Sequence, residues 1–232
     1  MREIVFDTET TGLSPYGGDR MVEIGCVEMF NRVETGRHFH AYFNPGRTIP
    51  FEAEAVHGLS TIFLSDKPPF ADRAEELLAF IEDSPLVAHN ASFDFGFLNF
   101  ELEQCGRPSV PMSRMVDTLM LARSRHPGAK HSLDALCMRF GIDRSHRVKH
   151  GALLDAQLLA QVYVELTGGR QIGLGLVADT ATVSVAQSAR PVTVRELRPA
   201  RPHFALVEEL ERHRAFIAKL ANPLWERFLG AG

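Results

Sequence analysis

Ile4-Val5-Phe6-Asp7-Thr8-Glu9-Thr10-Thr11-Gly12 is the stretch on which the reading of this chain turns. Ile4, Val5 and Phe6 are the β-branched and aromatic run of a buried central strand. Asp7 and Glu9 follow where that strand is expected to run out. They are two residues apart, so in extended backbone both side chains leave the same face. Two adjacent carboxylates repel, and neither is hidden without a partner. A divalent cation bound through oxygen is the simplest partner, and two solvated acids at a strand end are the plain alternative.

Three residues further along bear on that choice. Asp94 stands in His89-Asn90-Ala91-Ser92-Phe93-Asp94-Phe95, and His150 precedes Asp155 in His150-Gly151-Ala152-Leu153-Leu154-Asp155-Ala156. For Asp94 alone, charge matching to a helix N-terminus is an equal reading. His150 and Asp155 would lie about 140° apart on a regular helix, so both cannot serve one site from mid-helix. Gly151 allows His150 to sit on a loop just ahead of the helix that carries Asp155. An imidazole there, with an ordinary pKa of about 6.5, suits the removal of a proton from water. A surface histidine in a basic loop is the alternative.

Composition sets the outer bounds. The 232 residues hold one ordinary domain with an appendage, or two small domains, and the 45% apolar and 23% charged fractions are those of a soluble globular protein. No apolar run reaches the length of a membrane span and the N-terminus opens directly on a strand pattern, so no membrane association and a cytoplasmic location are expected. Cys26, Cys105 and Cys137 are far apart in apolar surroundings and read as reduced structural thiols. The net charge of −4 does not advertise nucleic acid, but residues 173–232 carry eight Lys/Arg against six Asp/Glu, leaving 17 against 23 in the first 172. Arg123, Arg125, Lys130, Arg144, Arg147 and Lys149 gather between the third and fourth acidic positions, as a phosphate-holding cluster or a solvated surface.

Strands are expected over 3–8, 21–30 and 37–43, the last two joined by a turn from Asn31 to Gly36. Helical spacing of Ala71, Ala74, Leu77, Leu78 and Ile81 predicts a helix over 70–82, and Leu86-Val87-Ala88 a short buried strand. Ser92, Asp117 and Ser132 read as N-caps of helices ending at Gly106, before Pro127-Gly128 and at Gly141, and the last helix of the domain is expected over 151–167. Phe93, Phe95, Phe97 and Phe100 read as core of the Ser92 helix rather than base-stacking groups. This order fits an α/β sheet with helices packed on it. Residues 171–202 read as a flexible linker, and 203–232 as a helical tail with a stripe of Leu206, Leu210, Ile217 and Leu220, acids early and bases late. About thirty residues cannot bury such a stripe against themselves, so the tail must dock.

The ordered set Asp-Thr-Glu-Thr-Thr-Gly at 7–12, His-Asn-x-x-Phe-Asp at 89–94 and His-x-x-x-x-Asp at 150–155 resembles the DEDDh exonucleases. Val56-His57-Gly58, Ser132-Leu133-Asp134-Ala135-Leu136-Cys137 and His150 to Gln157 are similar to the proofreading branch of that family, which serves bacterial replicative polymerases. The likeness runs from about residue 2 to 170 and resumes faintly in the tail. It implies a ribonuclease H-like fold with a mixed five-stranded sheet and flanking helices, making 1–170 an exonuclease domain. It also implies removal of 5′-mononucleotides one at a time from a DNA 3′ end. Four converging carboxylates need neutralising, and two divalent cations, Mg²⁺ or Mn²⁺, suit Asp7, Glu9, Asp94 and Asp155; two-metal sites catalyse phosphodiester displacement. The resemblance makes His150 the general base.

Thr8, Glu9 and Thr10 could face a terminal nucleotide, and His57 and His89 match family positions lining its pocket; a capping or core histidine is the other reading of His89. Gln171-Ile172-Gly173-Leu174-Gly175-Leu176 resembles the sliding-clamp-binding peptide of bacterial replication proteins, with Gln171, Leu174 and Leu176 as the contacts. Leu210, Ile217, Leu224, Trp225 and Phe228 would dock on the polymerase subunit, and a small theta-type subunit is a further candidate partner. One alternative shares the same residues, a stand-alone DEDDh nuclease acting on RNA or short oligonucleotides; another is a tethering module with a decayed site, which the loss of a catalytic residue would support, and none is lost.

Overall fold

The computed structural model describes residues 1–145, 147, 149–169 and 205–220. By chain contacts it divides into two units, 1–177 and 178–232. The first is built on a five-stranded sheet. β1 (Arg2–Thr10) pairs antiparallel with β2 (Met21–Phe30), which pairs antiparallel with β3 (Val33–Tyr42). On the other side β1 pairs parallel with β4 (Leu86–Ala88), and β4 parallel with β5 (Met115–Asp117), giving the order β3-β2-β1-β4-β5. The mixed sheet expected from the family resemblance is therefore present.

β1 continues beyond the expected end at residue 8, because β2 pairs with it through Glu9↔Glu23 before a register shift at Glu9/Thr10. Asp7 and Glu9 thus lie in the strand rather than past it. The β2–β3 hairpin turns on two residues, Asn31 and Arg32, at φ 49° and 64°, not over the six from Asn31 to Gly36. Paired left-handed residues match the twist of the strands they join, and asparagine tolerates that conformation.

The faces of β1 serve different cores. Ile4 and Phe6 pack with Ala74, Leu77 and Ile81 of α3 (Phe70–Ile81) and with Phe95, Phe97 and Leu98 of α4 (Ser92–Gln104). Val5, Val27 and Val87 pack with Ala156, Leu159, Ala160 and Tyr163 of α7 (Ala152–Leu166). The opposite face of α7, with Leu158, Val162 and Leu166, is covered by Ala122 of α5 (Thr118–Arg125) and by Leu136 and Cys137 of α6 (Leu133–Phe140). A helix buried on both sides is apolar most of the way round, as α7 is.

Asp117 and Ser132 cap α5 and α6 through their side chains as the sequence predicts, and Gly141 ends α6 in the left-handed conformation. Ser92 does not cap α4: the helix begins at Ser92, its cap position is Ala91, and no side chain bonds there. α1 (Phe51–His57), α2 (Thr61–Leu64) and β5 are elements that sequence pattern did not predict. Cys26, Cys105 and Cys137 are free thiols, and burial pushes all three upward in pKa.

Gly25 sets how closely α7 approaches the sheet. It pairs with Asp7 across β1–β2, and a Cβ there would lie 2.3 Å from both N and Cα of Leu153. No side chain fits, because the obstruction is helix backbone. The first turn of α7 thereby rests directly on the strand beside Asp7.

In the second unit the described residues form α8 (Val207–Ile217), with Glu208 and Glu209 in its first turn and Arg214 in its last. α8 falls within the helical tail expected over 203–232. Ile217 is buried, whereas Leu206, Leu210 and Leu220 are exposed. Gln171, Leu174, Leu176, Leu224, Trp225 and Phe228 lie outside the described residues, as does the linker. Among the described residues no helix is long and apolar enough to cross a membrane.

Candidate active site

Asp7, Glu9, Asp94, His150 and Asp155 line one cavity of about 260 Å³ at the end of β1, together with Thr8, His89, Phe93 and Arg147. Three elements supply the acids. β1 turns Asp7 and Glu9 to the face that meets α7, whose first turn carries Asp155. Asp94 comes from the first turn of α4, on the other face of the sheet. Thr8 points that way by strand alternation, and its hydroxyl donates to Asp94 Oδ1 at 2.7 Å. Donor atoms of Glu9, His150 and Asp155 lie within 4.8 Å of one another, close enough to share one ion.

The turn before α4 depends on a residue read from sequence only as a helix cap. Asn90 adopts φ 62°, and its N–H donates to Asp117 Oδ1, the same oxygen that caps α5 through the Leu119 amide. One carboxylate thus ties the His89-Asn90 turn to α5. His89 Nδ1 lies 2.9 Å from the Thr118 hydroxyl, and burial lowers the pKa of the ring, which favours neutral imidazole. His150 is half exposed on the loop ahead of α7, and its amide donates to Val56 O at the end of α1.

The acids are short of positive charge. Burial, then Asp94 and Glu9, raise Asp7 well above the carboxylate range. Glu9 is pushed up to about 8, first by burial and then by Glu23, Asp155 and Asp94, with Arg147 opposing. Burial lifts Asp94 to about 7 against the hydrogen bonds of Thr8 and the backbone. Glu23, directly across from Glu9 in the sheet, is a further buried acid that sequence reading missed; its Oε1 is 2.7 Å from His40 Nε2. A site of oxygen donors with this surplus of negative charge fits hard divalent cations.

Among the described residues, Arg147 is the cation set against these acids. Nε and Nη2 donate to the two oxygens of Asp155 at 2.5 and 2.7 Å, and Nη1 donates to Asp134 Oδ1 at 3.0 Å. Asp134 also accepts from Arg144. Two members of the basic cluster are therefore engaged with carboxylates. The sequence signal was its place three residues before His150.

The other expected contacts are distributed differently. Thr8, Glu9 and His89 line the cavity; Thr10 and His57 are not among its lining residues. Thr10 spends its hydroxyl on Gly12 O. His57 is buried, with Nδ1 accepting from the Leu59 amide and Nε2 without a side-chain hydrogen-bond partner among the described residues. Phe95 and Phe97 are core, as read from the sequence, whereas Phe93 reaches the cavity wall.

A family model described as Exonuclease (RNase_T) matches residues 4–163. The chain is 48% identical over 229 residues to the DNA polymerase III subunit epsilon of Rickettsia felis, covering 95% of this chain and 97% of that one. It is 42% identical to the Escherichia coli subunit over 223 residues, covering 92% and 91%. The likeness therefore extends well past residue 170, where sequence reading found only traces. Among solved structures, the nuclease domain of 3′hExo, a DEDDh family member bound to rAMP, has the same fold, with a TM-score of 0.62 at 15% identity over 72% of this chain and 91% of that one.

Proposed function

This chain belongs to the exonuclease family, and from that premise we infer that it is a metal-dependent 3′–5′ exonuclease of the DNA polymerase III epsilon type, proofreading for a bacterial replicative polymerase. The observation that carries the reading is the convergence of Asp7, Glu9, Asp94, Asp155 and His150 on one cavity. Asp7, Glu9, Asp94 and Asp155 would hold the divalent cations, two of Mg²⁺ or Mn²⁺, which when bound supply Lewis acidity to the phosphodiester and its leaving oxygen.

The remaining steps fall to the chain's own groups. His150, on the loop ahead of α7 and anchored by its amide to Val56 O, accepts the proton of the attacking water at an imidazole nitrogen. Thr8 holds Asp94 in one rotamer through their hydrogen bond. His89 and Phe93 shape the wall against which the terminal nucleotide rests, the ring of Phe93 offering an apolar surface to a base. Cleavage at the 3′ end releases a 5′-monophosphate and a shortened strand.

Beyond the domain of residues 1–170, the exposed Leu210 with Leu224, Trp225 and Phe228 would dock on the DNA polymerase III alpha subunit, whereas Ile217, expected to join them, is buried. Residues 171–176 would engage the sliding clamp, and a theta-type subunit would add a third partner, all in the cytoplasm. The test is digestion of 5′-labelled single-stranded DNA and matched RNA with Mg²⁺, with EDTA and with Asp7→Ala. Stepwise, metal-dependent shortening of DNA from its 3′ end, lost in the variant, is expected. Shortening of RNA alone would overturn the proofreading assignment in favour of an exoribonuclease.

A further inference from the structure

Among the described residues, Asp155 is the one cavity acid whose two oxygens are both taken by a guanidinium. Arg147 forks onto them at 2.5 and 2.7 Å, and its side chain is only 9% exposed. The same Nη2 lies 2.9 Å from His150 Nδ1, so the guanidinium reaches two of the three residues whose donor atoms cluster tightly enough for one ion. A divalent cation on Asp155 and a guanidinium on the same oxygens would be like charges at contact distance. They exclude one another.

We propose that Arg147 is the resident counterion of the cation-free site, and that cation binding at Asp155 displaces its guanidinium onto Asp134. Asp134 makes the exchange cheap. Arg147 Nη1 already donates to it at 3.0 Å, and its side chain is 41% exposed, so the displaced charge remains paired and reaches water. A buried charge is not readily stranded, and here it has a second carboxylate waiting. The displacement also removes a donor from the His150 ring, freeing the imidazole for its proton transfer. Until a cation arrives, Arg147 occupies both Asp155 and the base.

This inference rests on the cation-site reading above, and the experiment separates the two. Arginine Nε–H resonances are followed in the ¹⁵N-labelled full chain, with Arg147→Lys to identify the Arg147 signal and Arg20, paired to buried Glu101, as internal reference. In EDTA the Arg147 Nε–H is expected to be sharp and slow to exchange; saturating Mg²⁺ should shift or broaden it while Arg20 stays in place. Calorimetric titration with Mn²⁺ gives the second measurement: Arg147→Ala should bind at least about tenfold more tightly than the parent, because no charge-assisted fork has to be broken. An Arg147 resonance indifferent to Mg²⁺ that demonstrably binds, or equal or weaker Mn²⁺ affinity in Arg147→Ala, overturns the displacement alone. No Mn²⁺ binding in either protein overturns it together with the cation site.

Discussion

Glu28 and Glu101 are buried acids in the same domain as Asp7, Glu9 and Asp94, yet their surroundings are opposite. Glu101 accepts from Arg20 Nε and Nη2 at 2.8 and 2.7 Å and from the Met21 amide at 3.1 Å. Glu28 accepts from Thr35, Arg2 and Arg37, and these hold its carboxyl below the usual carboxylate range, with the Thr35 hydrogen bond foremost. In the cavity, by contrast, Asp94 has the hydroxyl of Thr8, and Asp7, Glu9 and Asp94 are all raised. Glu28 and Glu101 come with their arginines. Asp7, Glu9 and Asp94 are packed close and left under-neutralised, an arrangement that stability alone does not select. What they lack is a cation from outside the chain.

The largest effect that could break this contrast is Asp7→Asn. Activity on single-stranded DNA should fall by roughly a thousandfold, while melting in EDTA at pH 8 should be unchanged or improved, because a repelling charge has gone. Loss of stability in EDTA would place Asp7 with the structural acids. Gly25→Ala should be next: displacing α7 from the sheet moves Asp155 from Asp7, costing roughly a hundredfold in kcat and about 1–3 kcal/mol of stability, read by kinetics and by urea titration.

Arg20→Ala sharpens the structural side. It strands Glu101 and should cost roughly 2–3 kcal/mol in urea unfolding, with the response of the folded protein to Mg²⁺ retained. The smallest effect is a pH slope. Glu9 titrates near 8 in the folded chain against about 4.5 unfolded, so between those values the folded state binds the more protons. Stability without metal should therefore fall as pH rises from about 4.5 to 8, by at most about 1 kcal/mol per pH unit, and saturating Mg²⁺ should flatten the slope. A rise over that window in EDTA would mean the acids are already neutralised.

Sequence carried the motif-bearing elements well, because β1, β2, α3, α5, α6 and α7 each combine a hydrophobic period with a capping or turn residue. The missed elements lack that redundancy. α1 has seven residues, with Phe51 and Val56 facing solvent, so it shows no apolar stripe; β5 has three half-buried residues. Ser92 looked like a cap because serine usually is one, but the turn is secured from a distance by Asp117. The roles of Gly25 and Glu23 are long-range: each depends on which segment lies opposite, and spacing along the chain does not encode that. The acids could be read because four of them in a family order are improbable by chance, whereas an arginine beside them resembles any surface base.

The central claim is that the under-neutralised acids exist to hold divalent cations, and calorimetric titration of Mn²⁺ into the metal-free chain at pH 8 tests it most directly. The account predicts saturable binding of about two ions per chain with release of protons to the buffer, abolished or halved by Asp7→Asn. Absence of saturable binding, or binding indifferent to Asp7→Asn, would contradict it.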